Sequence, residues 1–161
     1  MTLATSEIER LYRSHGHVVL RRARLLLGNE SDAQEALQEV FAALLRTPDS
    51  LENKSSPVGF LYQATTHHCL NQLRNRRTGT RLLEGHLAPA INWVSANAEA
   101  LADLRRVLAQ LPAEAAQAVV YIHLDGMTHA ETAGLLGCSR RQVGYLLERA
   151  QQSLAREEQL A

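Results

Sequence analysis

Residues 128–155, THAETAGLLGCSRRQVGYLLERAQQSLA, constrain the fold more than any other stretch of the chain. Thr128 with Glu131 three residues on reads as a capping box, and so does Ser139 with Gln142. In each, the hydroxyl can accept from a backbone amide that the first helical turn leaves unpaired. Two helix starts eleven residues apart leave room for one short helix and a three-residue turn. Small residues fall where two crossing helices must touch: Ala133 inside the first helix and Gly137 at its end, with Val143 facing them from the second. A larger side chain at 133 would push the helices apart, and Gly137 can take the positive φ that a sharp exit requires. The pattern is that of a helix-turn-helix, which lays its second helix in the major groove of DNA. Arg140 and Arg141 stand in the first turn of that helix. The helix dipole disfavours cations there by roughly 0.3–1 kcal/mol each, and a phosphate at the same end reverses the sign.

Charge narrows the kind of DNA-binding protein. The 161 residues hold 17 basic and 17 acidic groups, whereas a protein that grips duplex DNA alone usually carries a basic excess. Residues 1–77 contain ten basic and eight acidic groups, and residues 99–161 contain six and eight. The helix-turn-helix end is therefore slightly acidic, which suggests that a partner delivers or reinforces DNA binding. No signal-peptide pattern opens the chain and no apolar run approaches eighteen residues, so a cytoplasmic setting is expected. Cys69 and Cys138 form no C-x-x-C pattern and are expected to be free, mostly buried packing residues.

Elsewhere the periodicity is helical, which gives an all-α reading of two small domains joined by a flexible linker. Ser6 with Glu9 caps a first helix carrying Ile8, Leu11, Tyr12, Val19, Ala23, Leu26 and Leu27, bent or broken at Gly16 and stopped at Gly28. Ser31 with Gln34 opens a second, whose stripe is Ala33, Leu37, Val40, Phe41, Leu44 and Leu45. Residues 47–57 are rich in turn formers, hence a loop. Pro57 starts a third helix through Arg77, with Phe60, Leu61, Ala64, Cys69 and Leu73 facing inward. Tyr62, Gln63, Thr66, His67, Asn71 and Arg74 are expected to look outward. Residues 78–98 lose the periodicity and read as a linker, with apolar spots at Leu82, Leu83, Ile91 and Trp93. Helical pattern resumes near Glu99, restarts at Pro112 and stops at Asp125-Gly126. The domains expected are 1–77 and 99–161.

Three ordered segments, 11–41, 60–77 and 108–154, resemble a bacterial sigma factor of the sigma-70 family, in its compact extracytoplasmic-function (ECF) group. The most specific pieces are Asp32-Ala33 through Gln38-Glu39-Val40-Phe41, and Leu111-Pro112 followed by Asp125-Gly126-Met127-Thr128. The resemblance implies a transcription initiation factor that binds core RNA polymerase and directs it to promoters. The second helix would dock on the clamp helices of the polymerase largest subunit through Asp32, Glu35, Gln38 and Glu39. The loop 47–57 and the third helix would read and open the minus-ten element. Single-stranded bases need polar edges, stacking groups and a basic track, which Asn53, Lys54, Tyr62, His67, Asn71, Arg74, Arg76 and Arg77 offer. Arg140, Arg141, Gly144, Tyr145 and Arg149 would meet the minus-thirty-five duplex. Core polymerase and promoter DNA are the partners implied, with an anti-sigma factor left open; no cofactor and no membrane insertion are implied.

The chain departs from the family pattern in places. Gly144, Tyr145 and Leu146 follow Val143 where a basic and a small polar residue are common, and His67 and Asn71 stand where Asn and Asp are frequent. These changes bear on which promoter is read. A freestanding dimeric helix-turn-helix regulator is the alternative, and it would bind DNA without polymerase. His15-Gly16-His17 and His67-His68-Cys69 suggest a metal, but adjacent helical residues point about 100° apart and cannot easily share one ion. No metal site is expected, and no nucleophile, phosphate loop or carboxylate pair marks an enzyme.

Overall fold

Apolar stripes at helical spacing fold as α1 (Thr5–Leu27), α2 (Glu30–Arg46) and α3 (Pro57–Thr80). A second set follows: α4 (Ala98–Gln110), α5 (Ala113–Val119) with a π-helical turn Val120–Leu124, then α6 (His129–Leu136) and α7 (Arg140–Leu160). The computed structural model describes residues 5–47, 50, 56–80 and 98–160, with the backbone alone at 77–80, 157, 158 and 160. Among the described residues there is no strand.

The local stop and start signals act much as their chemistry requires. Gly28 closes α1 at φ +81° and Gly137 closes α6 at φ +68°. Thr128 Oγ1 accepts from the Glu131 amide and Ser139 Oγ from the Gln142 amide, both at 3.1 Å, so the two helix starts of the helix-turn-helix are capped as expected. Other boundaries differ. The cap of α2 is Asn29, whose Oδ1 accepts from the Asp32 amide at 2.8 Å, and Ser31 already lies inside the helix. Ser6 likewise lies inside α1. α3 runs three residues past Arg77, into the expected linker.

Gly16 does not break α1. It is buried where α1 crosses α2, and a Cβ placed on it would sit 3.9 Å from Leu37 Cδ1, an ordinary contact. Glycine costs a helix interior about 0.5–1 kcal/mol relative to alanine. Gly16→Ala is therefore expected to stabilise the protein by about that amount in thermal unfolding; a loss of stability would show that the α1–α2 crossing tolerates no added methyl.

Among the described residues two buried clusters hold the helices. One lies within the N-terminal half: Ile8, Val19, Leu37, Val40, Phe41, Leu44 and Leu61. The other joins the halves, bringing Ala23, Leu26, Leu27, Cys69, Leu70 and Leu73 against Leu108, Leu111, Ala115, Ala116, Val120 and Tyr121. The halves therefore share apolar surface, beyond the linker that the sequence pattern supplied. Two stripe assignments change. Leu45 is 53% exposed, and Tyr12 is 46% exposed while meeting Phe41 edge-on at 5.1 Å between ring centres. Of the two free thiols, Cys69 is buried and Cys138 is only half-buried.

Candidate nucleic-acid interface

On α7, Val143, Leu146 and Ala150 turn inward at spacings of three and four, which leaves the opposite face to solvent. Arg140, Arg141, Gly144, Tyr145 and Arg149 all lie on that exposed face. Tyr145 is 53% exposed, and the Arg149 guanidinium sits 6.0 Å from its ring centre. A cation held over an aromatic ring makes one surface that can stack and hydrogen-bond at once. No atom lies within 4 Å of where a Gly144 Cβ would be, so a ligand backbone can approach there.

On α2, Glu35, Gln38 and Glu39 are exposed. Glu39 pairs with Arg46 at 2.9 Å, and that hydrogen bond holds its carboxyl below the usual range. Leu45 is exposed two turns beyond Gln38, so an apolar group joins the acidic set; the sequence reading had turned it inward. Asp32 differs from its three companions. It is half-buried, caps the helix start with Asn29 and forms an ion pair with Arg76 of α3. That pairing also takes Arg76 away from a purely outward role; its guanidinium further donates to the Leu27 carbonyl at 3.3 Å.

The third group departs most from expectation. Asn53 and Lys54 lie outside the described residues, as does the side chain of Arg77. The outer face of α3 is covered by the second half of the chain. Thr66 is fully buried, Asn71 is half-buried, and Gln63 Nε2 donates to the Leu135 carbonyl at 2.9 Å. His67 keeps most exposure but has its Nδ1 3.0 Å from Gln117 Nε2, and Arg74 reaches the Leu111 carbonyl at 3.5 Å. Helical phase separates Gln63, His67 and Arg74 from the Leu61–Cys69–Leu73 stripe, but the outward reading fails for Thr66, which is buried in phase with it. Phase could not show that a second apolar and polar surface would close over this face.

At the centre of that contact is Arg22, which the sequence reading passed over. Its guanidinium makes a two-pronged ion pair with Asp125 at 2.9 and 2.8 Å, and the side chains are 4% and 11% exposed. Arg22 Nε also donates to Thr66 Oγ1, and the guanidinium stacks 3.7 Å from the Tyr62 ring centre. Tyr62 completes the set by donating to Asp125 at 2.5 Å. Burial, helped by that hydrogen bond to a carboxylate, pushes the Tyr62 hydroxyl up to about 12. A signal did exist: Arg22 stands three residues after Val19 and four before Leu26, in phase with the buried stripe.

The structure is thus an all-helical fold with a capped helix-turn-helix whose second helix exposes basic and aromatic groups, and with an acidic face on a separate helix. Residues 11–78 match the family described as Sigma-70 region 2, and residues 101–154 match Sigma-70, region 4. The ECF RNA polymerase sigma factor SigM of Mycobacterium tuberculosis is 28% identical over 148 residues, which cover 92% of this chain and 75% of that protein. The ECF RNA polymerase sigma factor SigE of Mycolicibacterium smegmatis is 30% identical over 91% of this chain and 59% of that protein. Solved folds of the same kind include the sigma factor RpoE in complex with the anti-sigma factor NepR from Bartonella quintana, at TM-score 0.57 and 19% identity over 93% of this chain and 95% of that one. CnrH in complex with the cytosolic domain of CnrY matches at TM-score 0.54 and 20% identity over 98% and 90%. The chain belongs to the ECF group of the sigma-70 family of RNA polymerase sigma factors. Among the described residues no helix is long and apolar enough to cross a membrane.

Proposed function

We propose that this promoter-directing initiation factor divides its work among three surfaces: α2 docks on the clamp helices of core RNA polymerase, α3 with the preceding loop reads the minus-ten element, and α7 reads the minus-thirty-five duplex. The domains doing so would be 1–77 and 99–161, joined through 78–98. The observation that carries this reading is the exposure of Glu35, Gln38 and Glu39 on one helix and of Arg140, Arg141, Gly144 and Tyr145 on another. The chain as a whole has no net charge. A factor without a basic excess gains little from phosphate neutralisation alone, so polymerase is needed to bring the recognition helix to DNA. An anti-sigma factor is a further partner of this reading, supported by the solved RpoE–NepR complex.

The test is co-elution of the full chain with core polymerase, followed by run-off transcription. Glu35→Lys with Glu39→Lys is expected to weaken polymerase binding at least about tenfold while leaving thermal stability nearly unchanged, because both residues are exposed. Arg140→Ala and Arg141→Ala are expected to lower output on single-base promoter variants. An arginine that reads a base is worth about 1–3 kcal/mol at that base, whereas one on a phosphate weakens all sequences alike. Tight, sequence-specific duplex binding by the chain without polymerase would favour the freestanding regulator instead.

A further inference from the structure

We propose that the cleft between α1 and α4 binds a small amphiphilic phosphomonoester, its phosphate held by Arg21 and Arg105 and its apolar body lying along Val18, Leu25 and Leu101. The cleft encloses about 450 Å³, within the range of small-molecule sites. Neither arginine is assigned above to polymerase or to DNA, and the site is independent of the promoter-directing reading.

Helical spacing builds the cleft from both sides. On α1, Val18 and Leu25 each stand three or four residues from both Arg21 and Arg22, so the four share one face. On α4, Leu101 and Arg105 are one turn apart and share a face in the same way. Each helix therefore presents an apolar residue and, a turn further on, an arginine.

Four arginines and one carboxylate line the cleft, and the counter-charges are unevenly shared. Asp125 takes Arg22, and Glu30 takes Arg24 at 2.8 Å. Among the described residues no carboxylate pairs with Arg21 or Arg105. Arg105 is half-buried, and its Nε donates to the Leu25 carbonyl at 3.1 Å. That bond caps the end of α1 and leaves the two terminal nitrogens of the guanidinium uncommitted. Burial holds this guanidinium below its ordinary value, and Arg105 adds to the effect of burial on the neighbouring Arg76. A charge drawn out of water with no counter-charge is unfavourable, and a bound anion reverses that.

The uncommitted groups select the ligand. A phosphomonoester carries nearly two charges at neutral pH and three acceptor oxygens, which suits two guanidinium forks. The acceptors of the lining side chains are already engaged: Tyr62 donates to Asp125, and both Asp125 oxygens accept from Arg22. The donors on a nucleobase edge would therefore go unmet, which is costly in a cleft with apolar walls. Val18, Leu25 and Leu101 instead cover an aliphatic or aryl body.

Hexyl phosphate is the probe, titrated calorimetrically into the full chain at physiological salt, beside hexanol, inorganic phosphate and adenosine monophosphate. It is expected to bind about tenfold or more tighter than each of the other three. Arg21→Gln changes an exposed residue, and Arg105→Gln keeps a donor for the Leu25 carbonyl. Each is expected to weaken hexyl phosphate about tenfold. Arg156→Gln, exposed on α7 and outside the cleft, is expected to leave binding unchanged. Thermal unfolding verifies that the variants fold, and saturating hexyl phosphate should raise the midpoint of the natural chain more than that of Arg21→Gln. Absence of binding at millimolar hexyl phosphate would overturn the site, as would binding that survives both cleft substitutions. Equal affinity for inorganic phosphate or adenosine monophosphate would overturn the amphiphilic ligand.

Discussion

Truncating Leu26 to alanine is expected to destabilise the protein by about 3–5 kcal/mol in urea or thermal unfolding. The side chain is 1% exposed and lies in the cluster that joins the N-terminal helices to α4, α5 and the π-helical turn. Deleting it removes transfer free energy and leaves a cavity that a packed interior fills only in part. Because residues of both halves line that cluster, the loss is expected to appear as a shift of one cooperative transition. Two separate transitions, only the first of them shifted, would mean that the halves unfold independently. Leu45→Ala is the control: at 53% exposure it is expected to change stability by about 0.5 kcal/mol or less.

Raising the pH from about 9 to 12 is expected to remove several kcal/mol of stability, chiefly through Cys69. Burial pushes its thiol from an ordinary 9.0 up to about 12, and each unit of such a shift corresponds to about 1.4 kcal/mol. The folded protein favours the protonated thiol, so this stabilisation is complete below the unfolded value near 9. It is lost as pH rises toward the folded value, because only the unfolded chain releases the proton readily. Tyr62 and Tyr121 add in the same direction, both raised first by desolvation. Cys69→Ala should flatten the slope of unfolding free energy against pH over this range, at the expense of a small cavity. An unchanged slope would place the alkaline loss on the tyrosines. The same burial predicts that a thiol reagent at neutral pH labels half-buried Cys138 first and Cys69 only on unfolding.

The sequence by itself determined what depends on residues a few positions apart. Thr128 and Ser139 cap their helices because each stands at the helix boundary, where the amide three residues on is within reach of its hydroxyl. Gly28 and Gly137 end theirs because positive φ costs glycine nothing. The exposed face of α7 follows from Val143, Leu146 and Ala150 alone, since fixing the buried stripe of a helix fixes its opposite side. Gly16 shows the limit of even local reasoning: α1 runs unbroken through a glycine because tertiary packing, not propensity, holds most helices.

Tertiary structure alone decided what lies across from each face. Helical phase places Tyr62 and Thr66 beside the Leu61–Cys69–Leu73 stripe and turns Gln63, His67 and Arg74 away from it, but periodicity reports direction and not the neighbour met there. Arg22 and Asp125 are 103 residues apart, and nothing near either of them in sequence names the other. Asp125 reads locally as half of a helix stop, Arg22 as a charge in phase with the buried stripe of α1, and Asp32 as one of four docking residues. Only when the second half closes over α3, driven by apolar surface that Leu108 and Leu111 present, do the first two become a single buried ion pair. Only when the end of α3 approaches the start of α2 does Asp32 become the partner of Arg76. Charges taken out of water must find each other, and the fold decides which ones are taken out.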